Sequence, residues 1–323
     1  MKERILSGMR PTGALHLGHL IGVLQNWRML QEQYECFFMV ADWHALMSEY
    51  ENPSQIKKSI QDCIIDWLAC GIDPQKSVVF KQSDVPEHLE LSFIFGVLTP
   101  LPWLERNPTY KEQLRDLSSR NLTTYGFLGY PILQASDIIL YHAKKVPIGV
   151  DQLPHLELAR EIVRKFNLLY QGKLPEPMPL LTETPKLLGI DARKMSKSYD
   201  NTIDLGDSPE VIVKKAGRMF TDPLRIKMTD PGHPENCNVY SYYKIFAPEK
   251  REFVYDYCSN AKKGCTECKA NLGSLLADYL KPIREKKQEL KETQINSILT
   301  EGAQKARAIA RQTMQEVKEL VGL

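Results

Sequence analysis

Apolar residues in the first hundred positions recur with two different periods, which predict strands and helices in alternation. Short runs at residues 5–6, 36–41 and 77–80 predict strands, and the second run is apolar throughout, which is typical of a strand buried on both faces. Apolar residues recur at helical spacing between Leu17 and Leu30, and Asn52 and Pro53 open a helix that ends before Gly71. Alternating strands and helices predict an α/β fold, a doubly wound, Rossmann-like parallel sheet.

The pattern continues beyond an irregular, polar segment at residues 100–124, which we expect to carry an inserted helix and loop. Residues 130–141 predict a helix on which Tyr130, Gln134 and Asp137 form a polar stripe at positions i, i+4 and i+7. A carboxylate beside three apolar residues, at 138–140, needs a partner. A ligand, an internal salt bridge or a helix cap would each provide one. A strand end near residues 146–150 and a helix over about 155–167 follow.

Beyond Ser198 the periodicity is helical only. We therefore expect residues 1–199 to form the Rossmann-like domain and residues 200–282 to form a smaller all-helical domain. A final helix over 283–323 is expected to pack back on or near the first domain.

The segment from Arg10 to His19 joins the first strand to the first helix. Pro11 and Gly13 supply turn residues, and His16 and His19 fall three apart in the first helical turn, so both imidazoles face the same way. Gly18 removes a side chain between them, and a helix N-terminus favours anions through unpaired N–H groups and the dipole. The pattern indicates a phosphate and nucleoside site, although two surface histidines on a helix would show the same spacing.

A second polar stretch carries Lys194, Met195, Ser196 and Lys197. Lysines on a loop can swing toward a polyphosphate, while a solvated turn would look the same. The net charge is only +2, so any contact with nucleic acid would depend on local basic patches. Two candidates are residues 262–263 and the group Lys281, Arg284, Lys286, Lys287 and Lys291. The alternative is that these residues form a solvated helix face. No apolar run is long enough to span a bilayer and no signal-peptide pattern occurs, so we expect a cytoplasmic protein without a membrane partner.

Seven cysteines in a chain expected to be cytoplasmic argue against disulfides. Four of them lie between residues 237 and 268: Cys237, Cys258, Cys265 and Cys268. Four soft ligands suit an iron–sulfur cluster or a tetrahedral zinc ion, and buried thiols without metal are the third reading.

Residues 16–19 and 194–198 together resemble the HIGH and KMSKS signatures of class I aminoacyl-tRNA synthetases. With further matches at 7–13, 41–45, 71–74, 82–86, 110–113 and 149–152, the chain resembles bacterial tryptophanyl-tRNA synthetases almost from end to end. The tyrosyl family shares the fold and an aspartate on the same helix, and Gln134 fits it as well. That family places a tyrosine on the first strand, whereas this chain has Leu6, which leaves room for indole.

The resemblance implies that a homodimer activates L-tryptophan with ATP and Mg²⁺ and then transfers it to tRNA(Trp). A catalytic domain (1–199) and an anticodon-binding domain (200–282) would share this work, with a [4Fe-4S] cluster near the anticodon site. The implied catalytic residues are His16, His19, Lys194 and Lys197; ATP would also contact Arg10, Thr12, Gly18, Asp151, Met195 and Ser196. Tryptophan would contact Leu6, Gly8, His44, Tyr130, Gln134, Asp137, Val146, Ile148 and Gln152, with Asp137 accepting the indole N–H.

Other classes of protein share parts of this pattern. A tyrosyl enzyme and a catalytically silent RNA-binding or regulatory paralogue remain open, as does a small-molecule nucleotidyltransferase, which shares the first signature but lacks the lysine-serine loop.

Overall fold

Five parallel strands form one sheet in the computed structural model, which describes residues 2–116, 121–181 and 187–323. They are β1 (Arg4–Met9), β2 (Glu35–Val40), β3 (Ser77–Lys81), β4 (Lys145–Ile148) and β5 (Met178–Leu181), in the spatial order β3-β2-β1-β4-β5. This order is that of a doubly wound fold, whose strand order reverses at the boundary between β1 and β4. The predicted α/β fold is confirmed. β5 was not predicted, because its four residues include Pro179 and follow Pro177.

The sheet is buried on both faces, and successive side chains of β2 enter two different clusters. Cys36, Phe38 and Val40 belong to one cluster, whereas Phe37 and Met39 belong to the other. The period of two along a strand explains this division. A run that is apolar at every position therefore satisfies both faces of the sheet, as its sequence predicts.

Helices cover both faces. After β1 the chain forms a short helix α1 (Leu17–His19), a π-helical turn (Leu20–Leu24) and α2 (Gln25–Gln33). The remaining helices up to β5 are α3 (Asp42–Glu49), α4 (Ile56–Ala69), α5 (Glu87–Leu98), α6 (Leu101–Glu105), α7 (Pro108–Asp116), α8 (Tyr125–Leu128), α9 (Tyr130–Leu140) and α10 (Leu153–Tyr170). The segment at 100–124 carries α6 and α7 as expected, and its residues 117–120 lie outside the described part of the chain.

The second half of the chain is helical in its described residues beyond 187. It contains α11 (Pro209–Gly217), α12 (Asn238–Phe246), α13 (Arg251–Ser259), α14 (Cys265–Glu289) and α15 (Glu292–Val321). The expected start of the final helix at 283 is wrong: α14 continues through Pro282, and the break falls at Leu290 and Lys291, whose backbones are extended. Pro282 suggested a helix boundary because proline removes a backbone donor, but α14 accommodates it.

α15 packs along β3, at the edge of the sheet. Gly302 makes this possible, because a Cβ atom at that position would overlap the carbonyl oxygen of Val79. Farther along the helix, Arg307 and Arg311 donate to the buried carboxylate of Glu87, at 2.9 and 3.3 Å. Among the described residues, no helix combines the length and the apolar character that crossing a membrane requires.

Candidate active site

A cavity of about 410 Å³ opens where the strand order reverses, between the ends of β1 and β4. Ligands bind at this position in doubly wound sheets, and the volume suits a small molecule. The cavity is lined by all nine residues that the sequence assigned to the amino acid: Leu6, Gly8, His44, Tyr130, Gln134, Asp137, Val146, Ile148 and Gln152. Arg10, assigned to ATP, also lines it.

Asp137 is buried, with 2% of its side chain exposed, yet it does not lack partners. Its Oδ1 accepts hydrogen bonds from Gln82 Nε2 at 2.7 Å and from His88 Nδ1 at 2.6 Å, and its Oδ2 lies 2.8 Å from His44 Nε2. Burial raises its pKa, but the hydrogen bonds and charges of His44 and His88 outweigh burial and bring it down to about 2. The carboxylate is therefore ionised at neutral pH, and internal partners satisfy it before any ligand binds.

His88 extends this network away from the cavity. Its Nε2 lies 2.8 Å from the Tyr141 hydroxyl. Neither His88 nor Tyr141 was predicted from the sequence. A single histidine on α5 and a tyrosine after α9 carry no spacing signal, and only the fold brings them together.

A second histidine supports the other wall of the cavity. His155 Nδ1 lies 3.0 Å from Gln152 Oε1, and its Nε2 lies 2.6 Å from the Tyr130 hydroxyl. Burial lowers the pKa of His155 to about 4, with a further lowering from nearby His44, so the ring is neutral. The acceptor at Gln152 places the proton on Nδ1, and the Tyr130 hydroxyl therefore donates to Nε2. This leaves the oxygen of Tyr130 free to accept from a ligand. His155 was also not predicted.

The two histidines of the first helical turn hold the backbone around them. The N–H of Gly18 donates to His16 Nδ1 at 3.1 Å, and the N–H of His16 donates to His19 Nδ1 at 3.2 Å. Burial lowers their pKa values, to about 4 for His16 and about 3 for His19. The expected cradle of unpaired N–H groups is thus partly wrong, since these two N–H groups are capped. The neutral rings offer their Nε2–H groups instead.

The lysine loop folds over this turn. Lys197 Nζ donates to the carbonyl oxygen of Thr12 at 3.0 Å, and burial lowers the pKa of this lysine. A Cβ atom on Gly18 would meet the His16 ring at 2.9 Å and the Met195 sulfur at 3.4 Å, so glycine allows this close packing. The structure therefore brings together His16, His19, Gly18, Thr12, Met195 and Lys197.

The remaining residues assigned to ATP are held by local contacts. The Ser196 N–H and the Lys194 carbonyl both bond to Asn201, and the Lys194 side chain is exposed. Asp151 accepts a hydrogen bond from Gln152 Nε2 at 2.9 Å.

Four thiols lie in the helical part of the chain. Burial is the largest cause that raises the pKa of Cys268 to about 11; the charges of Cys237, Cys258 and Cys265 act in the same direction, and a hydrogen bond from the Tyr257 hydroxyl opposes them. One guanidinium nitrogen of Arg225 contacts the sulfur atoms of both Cys258 and Cys265, at 4.0 and 3.9 Å. Within the described ranges, no three such side chains stand close enough together to hold a single metal ion.

Comparisons with known proteins agree with this geometry. A family model described as class I tRNA synthetases (W and Y) matches residues 2–281. The tryptophan–tRNA ligase of Thermotoga maritima is 48% identical over 325 residues, covering 99% of both chains. That of Aquifex aeolicus is 43% identical over 393 residues, covering 99% of this chain and all of the relative. A crystal structure of tryptophanyl-tRNA synthetase from Campylobacter jejuni, complexed with ADP and tryptophan, is 35% identical, with a TM-score of 0.91 over 99% of this chain and 100% of the other.

Proposed function

Because this chain belongs to the class I tRNA synthetases of the tryptophan type, we propose that it activates L-tryptophan with ATP and transfers the tryptophanyl group to tRNA(Trp). The observation that carries the proposal is the cavity at the strand reversal, where one ionised carboxylate, Asp137, lines the same cavity as the apolar side chains of Leu6, Val146 and Ile148. Such a cavity fits a flat aromatic ring with a single N–H donor.

Asp137 recognises the indole through an acceptor position that its internal partners leave open. A carboxylate has about four acceptor positions, and Gln82, His88 and His44 use three of them. Two of these donors bind Oδ1 and one binds Oδ2, so the open position is on Oδ2. An indole N–H fills it, and Leu6, Val146 and Ile148 surround the ring.

The polar end of tryptophan meets the opposite wall. The Tyr130 oxygen accepts from the substrate ammonium, since its own proton is held by His155. Gln152 and His44 complete the contacts with the ammonium and carboxylate groups, and Gly8 and Gln134 line the remaining wall. The substrate carboxylate then points toward Arg10 and the nucleotide turn.

The reaction is an in-line displacement at phosphorus. A carboxylate oxygen of tryptophan attacks the α-phosphorus of ATP, the bond to pyrophosphate breaks, and tryptophanyl adenylate forms. A ribose hydroxyl of the tRNA then attacks the carbonyl carbon and releases AMP. Mg²⁺ bound with ATP supplies positive charge at the phosphates. The protein contributes position and charge: Lys194 and Lys197 bring cations to the pyrophosphate, and the neutral rings of His16 and His19 donate hydrogen bonds.

By the resemblance the nucleotide lies over Gly18, where the absence of a side chain lets the His16 ring and the Met195 sulfur pack close to the backbone. Thr12, Ser196 and Asp151 are placed at the rim of this site by the resemblance. These assignments are proposals, supported by the contacts among the turn, the lysine loop and the cavity.

We also propose that Cys237, Cys258, Cys265 and Cys268 hold a [4Fe-4S] cluster rather than zinc. Four cysteine thiolates are the ligand set of such a cluster. One guanidinium nitrogen of Arg225 contacts the sulfur atoms of Cys258 and Cys265, which brings a positive charge to two of these ligands. Protein purified without oxygen should be brown, with about four irons per chain. Colourless protein without iron would refute this proposal and leave the enzymatic one intact.

The helical segment and a second copy of the chain serve tRNA binding in this proposal. Residues 200–282 expose Phe253 and Tyr255 beside Lys250 and Arg251, a mixture of rings and cations that suits unstacked anticodon bases.

An apolar stripe on α5, formed by Leu89, Phe93 and Val97, is exposed and fits the interface of a homodimer. Since its substrate is tRNA, we place the enzyme in the cytoplasm.

Tryptophan-dependent exchange of pyrophosphate into ATP tests the function directly. We expect exchange with tryptophan, none with phenylalanine and very little with tyrosine, followed by charging of tRNA(Trp). Exchange with tyrosine instead would indicate a tyrosyl enzyme. Absence of exchange together with retained tRNA binding would indicate a silent RNA-binding paralogue.

A further inference from the structure

α14 connects the cysteine region with the nucleotide turn. Cys265 and Cys268 lie in its first turn, and Lys287 lies in its last turn. At about 1.5 Å of rise per residue, the helix spans roughly 37 Å. The basic residues of its C-terminal part had two readings from the sequence, a nucleic-acid patch or a solvated face. Lys287 fits neither, because its ammonium group reaches into the catalytic half of the chain.

Lys287 forms an ion pair with Asp66 of α4. The Lys287 Nζ lies 2.5 Å from Asp66 Oδ1, and only 1% of the Asp66 side chain is exposed. Burial raises the pKa of Asp66, and Lys287 is the largest influence in the opposite direction. Removing one member of such a pair leaves the other charge buried without compensation, which is costly. The buried Asp66 carboxylate is therefore compensated by a cation whose position α14 sets.

The second oxygen of Asp66 reaches the nucleotide turn. Asp66 Oδ2 accepts the backbone N–H of Leu15 at 3.3 Å, and Leu15 immediately precedes His16. On its other side the same turn is bound to residues 203–205: the Leu15 carbonyl accepts from Leu205 N–H, and Leu17 N–H donates to the Ile203 carbonyl, both at 2.9 Å. Asp66 thus fixes one side of the backbone that positions His16.

We propose that the Asp66–Lys287 ion pair is a positioning pair, which sets the nucleotide turn according to the position of α14 and so couples the helical domain to ATP binding. Neither side chain touches ATP in this arrangement; both act through the backbone at Leu15. The inference rests on the proposed function, because it concerns how that site is adjusted. It follows that tRNA held by the helical domain and ATP held by the turn influence each other's affinity, and by linkage the influence is reciprocal.

The test uses the full-length enzyme with Lys287→Met, Asp66→Asn and the double variant. Each single variant should raise the KM for ATP in pyrophosphate exchange about tenfold, with the KM for tryptophan unchanged, and the double variant should be no worse than the poorer single variant. The effect of bound tRNA(Trp) on the KM for ATP should disappear in Lys287→Met. Lys287→Arg, which can keep the ion pair, should retain near wild-type values.

Lys76→Met is the matched control, because it breaks an exposed ion pair, with Glu32, far from the turn. Urea unfolding of every variant separates loss of fold from loss of function. The coupling would be overturned if the variants were destabilised but kept the wild-type KM for ATP. It would also be overturned if the effects of the two single substitutions on the KM for ATP added up in the double variant. A wild-type protein without tryptophan-dependent exchange would instead overturn the proposed function itself.

Discussion

His88 stands behind Asp137, with its Nδ1 2.6 Å from the carboxylate Oδ1, and it does not line the cavity. The histidine can therefore affect the substrate only through the carboxylate. Together with the Tyr141 hydroxyl it forms a buried chain of hydrogen bonds that fixes the orientation of the carboxylate plane.

Replacing His88 should weaken tryptophan selectively. His88→Leu removes a donor from Asp137, and we expect kcat/KM for tryptophan to fall at least about tenfold. It also raises the pKa of Asp137, so the variant should lose activity in mildly acidic buffer, where the wild type retains it. Tyr141→Phe, which leaves the contact between His88 and Asp137 intact, should have a smaller effect. Identical pH profiles of tryptophan-dependent exchange for His88→Leu and wild type would contradict the assignment.

Asp137 should decide between tryptophan and an analogue that lacks the indole N–H. The benzothiophene analogue cannot donate to the open acceptor position on Oδ2, and a hydrogen bond to a charged group contributes on the order of 2 kcal/mol. Wild type should therefore prefer tryptophan by roughly thirtyfold or more, and Asp137→Ala should lose that preference while its KM for ATP is unchanged. Equal use of both substrates by the wild type would make Asp137 a structural residue only.

Lys197 should act on the transition state more than on bound ATP. In the free protein its ammonium group rests on the Thr12 carbonyl, and it gains most when charge develops on pyrophosphate. Lys197→Ala should lower kcat for exchange about a hundredfold with little change in the KM for ATP. Arg193→Ala, an exposed neighbour paired with Asp191, serves as the control. A raised KM at constant kcat would assign Lys197 to binding alone.

His155 should make the fold sensitive to acid. Its pKa falls from 6.5 when unfolded to about 4 when folded, so the folded state binds fewer protons between these values. Its stability contribution is present above pH 6.5 and is lost as the pH falls toward 4. Between pH 7 and 5 this amounts to about 2 kcal/mol. Urea titrations at both pH values should show a smaller loss for His155→Gln than for wild type; equal losses would contradict the neutral, buried ring.

Gly302 should tolerate no side chain. Gly302→Ala places a methyl group against the Val79 carbonyl, and we expect a loss of about 2 to 3 kcal/mol in the free energy of unfolding. Gly217→Ala is the comparison, because a Cβ atom there meets nothing within 4 Å. That variant should be neutral or slightly more stable. Equal stabilities of the two variants would show that α15 can move away from the sheet at little cost.

The strands and most helices could be predicted because local patterns specify them. β2 is apolar from Cys36 to Val40, and α4 has Asn52 and Pro53 before it and Gly71 after it. β5 could not be predicted, since it is short, contains Pro179 and is defined by its pairing with β4. The end of α14 was misplaced because Pro282 is a signal for a helix boundary that tertiary packing overrides.

The residues that line the cavity could be predicted because the chain resembles a known family over nearly its whole length. The residues that support them from behind, such as His88 and His155, could not be predicted. The cost of burying Asp137 led to the expectation of a partner, but the sequence did not decide between a ligand, an internal salt bridge and a helix cap. The structure supplies the internal partners, His44, His88 and Gln82. Those contacts join α3, α5 and the end of β3, and no periodicity within one element reports them.

The packing of α15 against β3 also has a consequence for synthesis of the chain. β3 is complete some two hundred residues before α15 is made, and its outer edge presents unpaired backbone groups until that helix arrives. Exposed strand edges recruit other strands, and vectorial synthesis prolongs the exposure. The nascent sheet on the ribosome is therefore open to pairing with neighbouring nascent chains. This exposure lasts until α15 has been made and packs against β3 through Gly302.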